Sequence, residues 1–173
     1  DAAQLYERWA PAGGDYIANV LNAGKTGSIY PSQKAALEEM ANALSIIADE
    51  VGNGKINDPF SQQDLSLEES RFSNNSKADF ANNIRSIKNI YTGKYLTFGT
   101  LTGLSAVIAD RDAALDVRLK TEIDAAIAAI EAIPGTFGDA VFNNASAVSD
   151  AQTKVRTIQQ TLESDILPLI SKL

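Results

Sequence analysis

Chemistry in this chain has to come from hydroxyls, amides, carboxylates and amines, because its 173 residues include no histidine and no cysteine. Those absences remove the commonest general base, the thiolate nucleophile and the usual ligands of transition metals. A Ser-Lys pair would be the remaining route to an activated hydroxyl, and no Ser-x-x-Lys occurs. Carboxylates are plentiful, with Glu38-Glu39, Asp49-Glu50 and Asp110, Asp112 and Asp116 as sets for a hard cation. None lies in an EF-hand loop, and the Glu-x-x-His pairs of a di-iron bundle are excluded. Acids at such positions read as wet helix faces. Paired carboxylates also cleave glycosides, but nothing here indicates the cleft that a tuned pair requires. The polar set that stands out is Glu69, Ser70, Ser73, Asp79 and Asn83. Ser76 precedes Asp79 by three residues at the head of an apolar run, which reads as a capping box with Asp in the place of Glu. On this reading Ser70 and Ser73 order the loop before the helix by local side-chain bonding.

The element that must position them is a helix from Ser76 to Gly93. Phe80, Ile84, Ile87 and Tyr91 form its buried stripe, Ile90 widens it, and Gly93 closes the last turn in a left-handed conformation. Upstream, Leu5, Trp9, Tyr16, Ile17, Val20 and Leu21 give an apolar face broken by Pro11 to Gly14, with Asp15 as a cap and a stop near Gly24. Residues 23–27, Ala-Gly-Lys-Thr-Gly, lack the first glycine and the preceding strand of a phosphate loop, so they read as an ordinary connection. Pro31 suits the first turn of the next helix, whose seam is Leu37, Met40, Leu44, Ile47 and Val51 and whose end is set by Gly52 and Gly54. A long polar connection follows from Lys55 to Ser70, with one helical turn at Leu65 to Glu68.

Beyond Gly93, Lys94 to Phe98 bridges to a short helix from Leu101 to Ala109. Asp112 caps the next helix, which carries Leu115, Leu119, Ile123, Ala126, Ile127, Ile130 and Ile133 on its apolar side and stops at Pro134-Gly135. A turn from Phe137 to Phe142 leads to a last helix over 145–172, kinked by Pro168. The expected fold is all-α: an antiparallel, up-and-down four-helix-bundle-like domain spanning residues 1–173, with short additional helices. A net charge of −7 and the lack of any Lys/Arg cluster argue against nucleic acid, and no apolar run is long enough to span a bilayer. The chain opens at Asp1 in what reads as mid-helix, which points to a preceding segment.

The order Glu69-Ser70-x-Phe72-Ser73, then Asp79-Phe80-x-x-Asn83-Ile84-x-Ser86-Ile87, resembles a segment in the C-terminal half of imelysin-like proteins, the iron-regulated, peptidase-M75-type family. The stretches from Gly99 to Ala106 and from Ala132 to Phe137 are also similar to that family, with a weaker likeness at Trp9 to Pro11. The resemblance implies two helical halves, with a Gly-x-His-x-x-Glu motif in the N-terminal one, and this chain, lacking histidine, cannot hold that motif. It further implies secretion to the bacterial periplasm or cell surface, with lipid anchoring through a preceding segment as one form. Partners on this reading are the N-terminal half of the same protein and envelope iron-uptake proteins. No cofactor is expected in this chain, while iron or another metal belongs to the full-length protein. Under the same resemblance, Glu69, Ser70, Ser73, Asp79 and Asn83 face a pocket or domain interface rather than serving the helix cap alone. Three functions stay open: a non-catalytic binding domain for iron uptake, the C-terminal half of an M75-type metallopeptidase, and a structural or adhesive envelope bundle.

Overall fold

The structure, a computed structural model, describes residues 2–10, 14–94 and 102–173. The expected break at Pro11, the bridge after Lys94, the Gly99 segment and the start of a helix at Leu101 fall wholly or partly outside those residues. Every described element is helical: α1 (Ala2–Trp9), α2 (Asp15–Leu21), α3 (Gln33–Asp49), α4 (Asn57–Gln62), α5 (Ser76–Thr92), α6 (Leu104–Arg111), α7 (Ala113–Glu131), α8 (Phe137–Asn143), α9 (Ala145–Thr161) and α10 (Leu167–Ile170). A 3₁₀ turn at Leu65–Leu67 stands where a helical turn was expected.

The four long helices, α3, α5, α7 and α9, close into a ring in which each packs on its two neighbours. Side-chain pairs give the directions. Along α5 and α7, Arg85 meets Glu131, Lys88 meets Asp124 and Tyr91 meets Asp116, so one number rises as the other falls. Along α3 and α9, Ser45 meets Glu163, Asp49 meets Gln159 and Asn53 meets Arg156, again antiparallel. The centre is a continuous core that runs from Ala41 through Phe80, Ile84, Ile87, Leu119, Ile123, Val155 and Ile158 to Ile170. Phe80 and Phe137 meet edge to face, 5.1 Å apart, and tie α8 to α5.

Several local readings are corrected. Helix α3 begins at Gln33, with Ser32 as its cap accepting from the Ala35 N-H at 3.0 Å, so Pro31 lies ahead of the cap. Asp15 is the first residue of α2 rather than its cap. Ile90 is exposed and does not widen the α5 stripe. The Phe137 region is a helix, capped by Thr136, whose hydroxyl accepts from the Asp139 N-H.

The largest correction concerns Gly52 and Gly54. They do not stop α3, because the chain continues through a π turn, Glu50–Lys55, in which the Ile56 N-H reaches back five residues to the Val51 carbonyl. Gly52 permits this because a methyl there would come within 3.2 Å of Val155 and 3.3 Å of Arg156. Its carbonyl accepts from Gln152 at 3.0 Å. A second π turn, Leu162–Ile166, divides the last helix just before Pro168. The wider turn carries the chain past a residue that has no N-H to give and whose ring would press on the Ser164 carbonyl in a regular helix.

Candidate functional site

The five polar residues singled out in the sequence gather where the 3₁₀ turn hands over to α5. Ser70 donates to Asp79 at 2.6 Å, and Asn75 donates to the other oxygen of the same carboxylate at 2.6 Å. Asp79 therefore braces the entry loop, and no capping box forms. Ser73 donates to the Ser70 carbonyl at 3.2 Å, which tightens the turn. Glu69 and Asn83 do not touch this group directly. They converge on Lys55, whose ammonium lies 3.0 Å from Glu69, 3.5 Å from the Asn83 amide oxygen and 3.8 Å from Glu50. The Lys55 side chain is only 19% exposed, so its charge is held by these acceptors more than by water.

Ser76 is the second correction at this junction. It is the first residue of α5, fully buried, and its hydroxyl donates to the Glu68 carboxylate at 2.6 Å instead of capping the helix. Glu68 is itself buried, and its other oxygen would lie 2.9 Å from a methyl on Gly138, in the first turn of α8. The carboxylate thus sits by the positive end of that helix, where its charge is favoured. Sequence reasoning missed both Lys55 and Glu68. Lys55 stands at the end of a π turn that the two glycines disguised as a stop, and Glu68 looked like any acid in a polar connection.

A second polar cluster lies deeper. Asp116 on α7 accepts from the Tyr91 hydroxyl at 3.0 Å, Ser105 at 2.7 Å and Lys120 at 2.7 Å, which binds α5, α6 and α7 together. Burial works against its charge, but the donors from Lys120, Ser105 and Tyr91 outweigh that cost and hold the carboxyl below the ordinary Asp range. Tyr91 is shifted the other way, upward, by its own burial and by the Asp116 charge.

The donor chemistry does not suit a peptidase metal. With no His or Cys in the sequence, a centre would need converging carboxylates, and among the described residues no group of three or more metal-ligating side chains comes together. Four open surface clefts are lined by other residues than the five. What the junction offers is a half-buried cation framed by carboxylates and amides, suited to polar recognition.

The family model for imelysin, peptidase M75, matches residues 1–165. The chain belongs to the imelysin family. It is 30% identical to the iron-regulated protein A of Synechococcus elongatus, over 98% of this chain and 49% of that protein. Among solved structures it is similar to an imelysin peptidase from Bacteroides ovatus, with a TM-score of 0.82 and 30% identity over 98% of this chain and 50% of that one. It is also similar to a Parabacteroides distasonis protein described as an iron-regulated protein A precursor, with a TM-score of 0.66 and 26% identity over 92% and 52%. The chain thus spans about half the length of these imelysin-family relatives. Among the described residues no helix is long and apolar enough to cross a membrane.

Proposed function

We propose that this chain is a single helical-bundle domain, the C-terminal half of an imelysin-family protein of the bacterial envelope, and that it serves iron acquisition by binding a ligand or a partner rather than by cutting peptides. The observation that carries the reading is Lys55, drawn in among Glu50, Glu69 and Asn83 beside the Ser70-Asp79 brace. The groups are set in place before any ligand arrives, which lowers the ordering cost of binding. The hydroxyls of the group are spent on the fold, Ser70 on the Asp79 carboxylate and Ser73 on the Ser70 carbonyl, and the sequence has no imidazole or thiol to stand beside them.

Ferric citrate and haemin, titrated into the 173-residue chain by calorimetry, test the reading. Binding of either should weaken at least tenfold in Lys55→Ala and stay unchanged in Lys154→Ala, whose ammonium is paired on the surface with Asp150. Peptide hydrolysis by this chain alone would overturn the non-catalytic reading.

A second reading is favoured by the Bacteroides ovatus relative, which is described as a peptidase. Here the chain is half of an M75-type metallopeptidase and any metal ligands come from the other half. Hydrolysis that requires both halves, and is lost when the other half's histidine is replaced, distinguishes it.

A further inference from the structure

Among the described residues, the ring of long helices closes its core without α1 and α2: the buried cluster begins at Ala41, and neither of those helices contains a buried residue. Yet α1 is strongly amphipathic, with Leu5, Tyr6 and Trp9 spaced three and four apart on one side. Those side chains stay out in water, Leu5 57% exposed, Tyr6 72% and Trp9 51%, and Leu21 at the end of α2 and Ile29 beyond it are exposed as well, at 68% and 72%. Of the neighbours that α1 packs on, α2 is the substantial one.

This hairpin is built rather than frayed. Trp9 and Tyr16 meet edge to face at 5.5 Å, Arg8 lies over the Tyr16 ring at 4.6 Å, and Arg8 also pairs with Asp15 at 3.4 Å. Gly14 lies so close to the Arg8 carbonyl that no methyl would fit. A fixed helical pair that turns large apolar groups outward has the form of an interface awaiting its other side.

We propose that the apolar face of the α1–α2 hairpin is the docking surface for the second helical half of the longer imelysin-family proteins. The occupant follows from length, since this chain covers only 49% of the iron-regulated protein A and 50% of the Bacteroides ovatus protein, leaving a partner of equal size in each. The inference rests on the reading of this chain as one half of such a protein, and adds which surface joins the two.

Trp9 is the one tryptophan in the sequence, so 5-fluorotryptophan labelling gives this chain a single ¹⁹F resonance at the proposed seam. The probe is the half of the Bacteroides ovatus protein that this chain does not cover, added to the labelled chain. Association is expected, with a shift of the Trp9 resonance and at least tenfold weaker affinity for Leu5→Glu/Leu21→Glu. Both replaced side chains are exposed, and circular dichroism confirms that the variant folds. Association that leaves the resonance in place and ignores the double variant would overturn the surface while sparing the two-half reading. No association would sink both. A dimer of this chain alone by light scattering, with the resonance moving as concentration rises, would show that a second copy covers the face and overturn the proposed occupant.

Discussion

Gly138 has no room for a side chain. A methyl group would approach the buried Glu68 carboxylate to 2.9 Å, and Leu65 closes the other side at 3.3 Å. Gly138→Ala should therefore cost about 1–3 kcal/mol in urea unfolding, the usual penalty for overpacking. Truncating the neighbour makes space, so Glu68→Ala should absorb part of the cost, and the double variant should be more stable than the two single effects added together. Strict additivity would mean the two positions do not press on each other. Asp116 and Tyr91 give a second residue-scale expectation, in pH. Folded Asp116 stays ionised below the value of about 3.9 at which the unfolded residue takes up a proton. The unfolded chain thus binds more protons as pH falls through that range, and the stabilisation present above it is lost. Tyr91 is raised, so above about pH 10 the unfolded residue ionises while the folded one keeps its proton, and stability falls as pH rises. Denaturant midpoints across pH should lose part of their acid limb in Asp116→Asn and part of their alkaline limb in Tyr91→Phe.

At the scale of elements, the long helices were legible because burial imposes a period. Phe80, Ile84, Ile87 and Tyr91 are buried where the spacing put them, and Asp112 caps α7 by accepting from the Leu115 N-H at 2.9 Å. What could not be read depends on neighbours from elsewhere in the chain. Gly52 looks like a stop in one dimension and proves to be a contact with Val155, a hundred residues away in sequence. Ser76 has the sequence context of a cap, and its hydroxyl goes to Glu68 because that carboxylate is buried against α8. The five polar residues were grouped on family likeness, and Lys55, the hub for two of them, was absent because nothing local announces it. Gly103 shows the same dependence: a methyl there would overlap the backbone of Tyr91, Thr92 and Gly93 at the end of α5. Backbone cannot swing aside as a side chain can, so Gly103→Ala should cost about 3 kcal/mol or more, readable as a lowered urea midpoint. A near-neutral result would show that α6 and the end of α5 are not held in contact.

For the whole molecule, the division between a closed ring and an outlying hairpin predicts uneven stability. Amides of α1 and α2 should exchange with deuterium far faster than those of α5, α7 and α9, whose inner faces are buried. Uniform protection would contradict that division. Within the ring, α3 and α9 share the apolar core and are also joined by polar rungs: Ser45 to Glu163, Asp49 to Gln159, Arg156 to Asn53 and Asn57, and Gln152 to Asn57 and the Gly52 carbonyl. Each rung is worth about 1 kcal/mol at most where water can reach it, so their use is to fix how far one helix stands along the other.

Both π turns lie on these two helices, and each holds one residue more than a regular helix would use over the same span. Removing one residue from Glu50–Lys55 would let a regular turn cover the same span, so the chain beyond it would keep its facing and Asn57 its place beside Gln152. What would be lost is the wide turn that sets Lys55 among Glu50, Glu69 and Asn83. The same deletion in the middle of α5 or α7 would instead rotate everything after it by about 100°, the angle one residue subtends in a helix, so lost codons should be tolerated by the fold inside these two windows and nowhere else along the long helices.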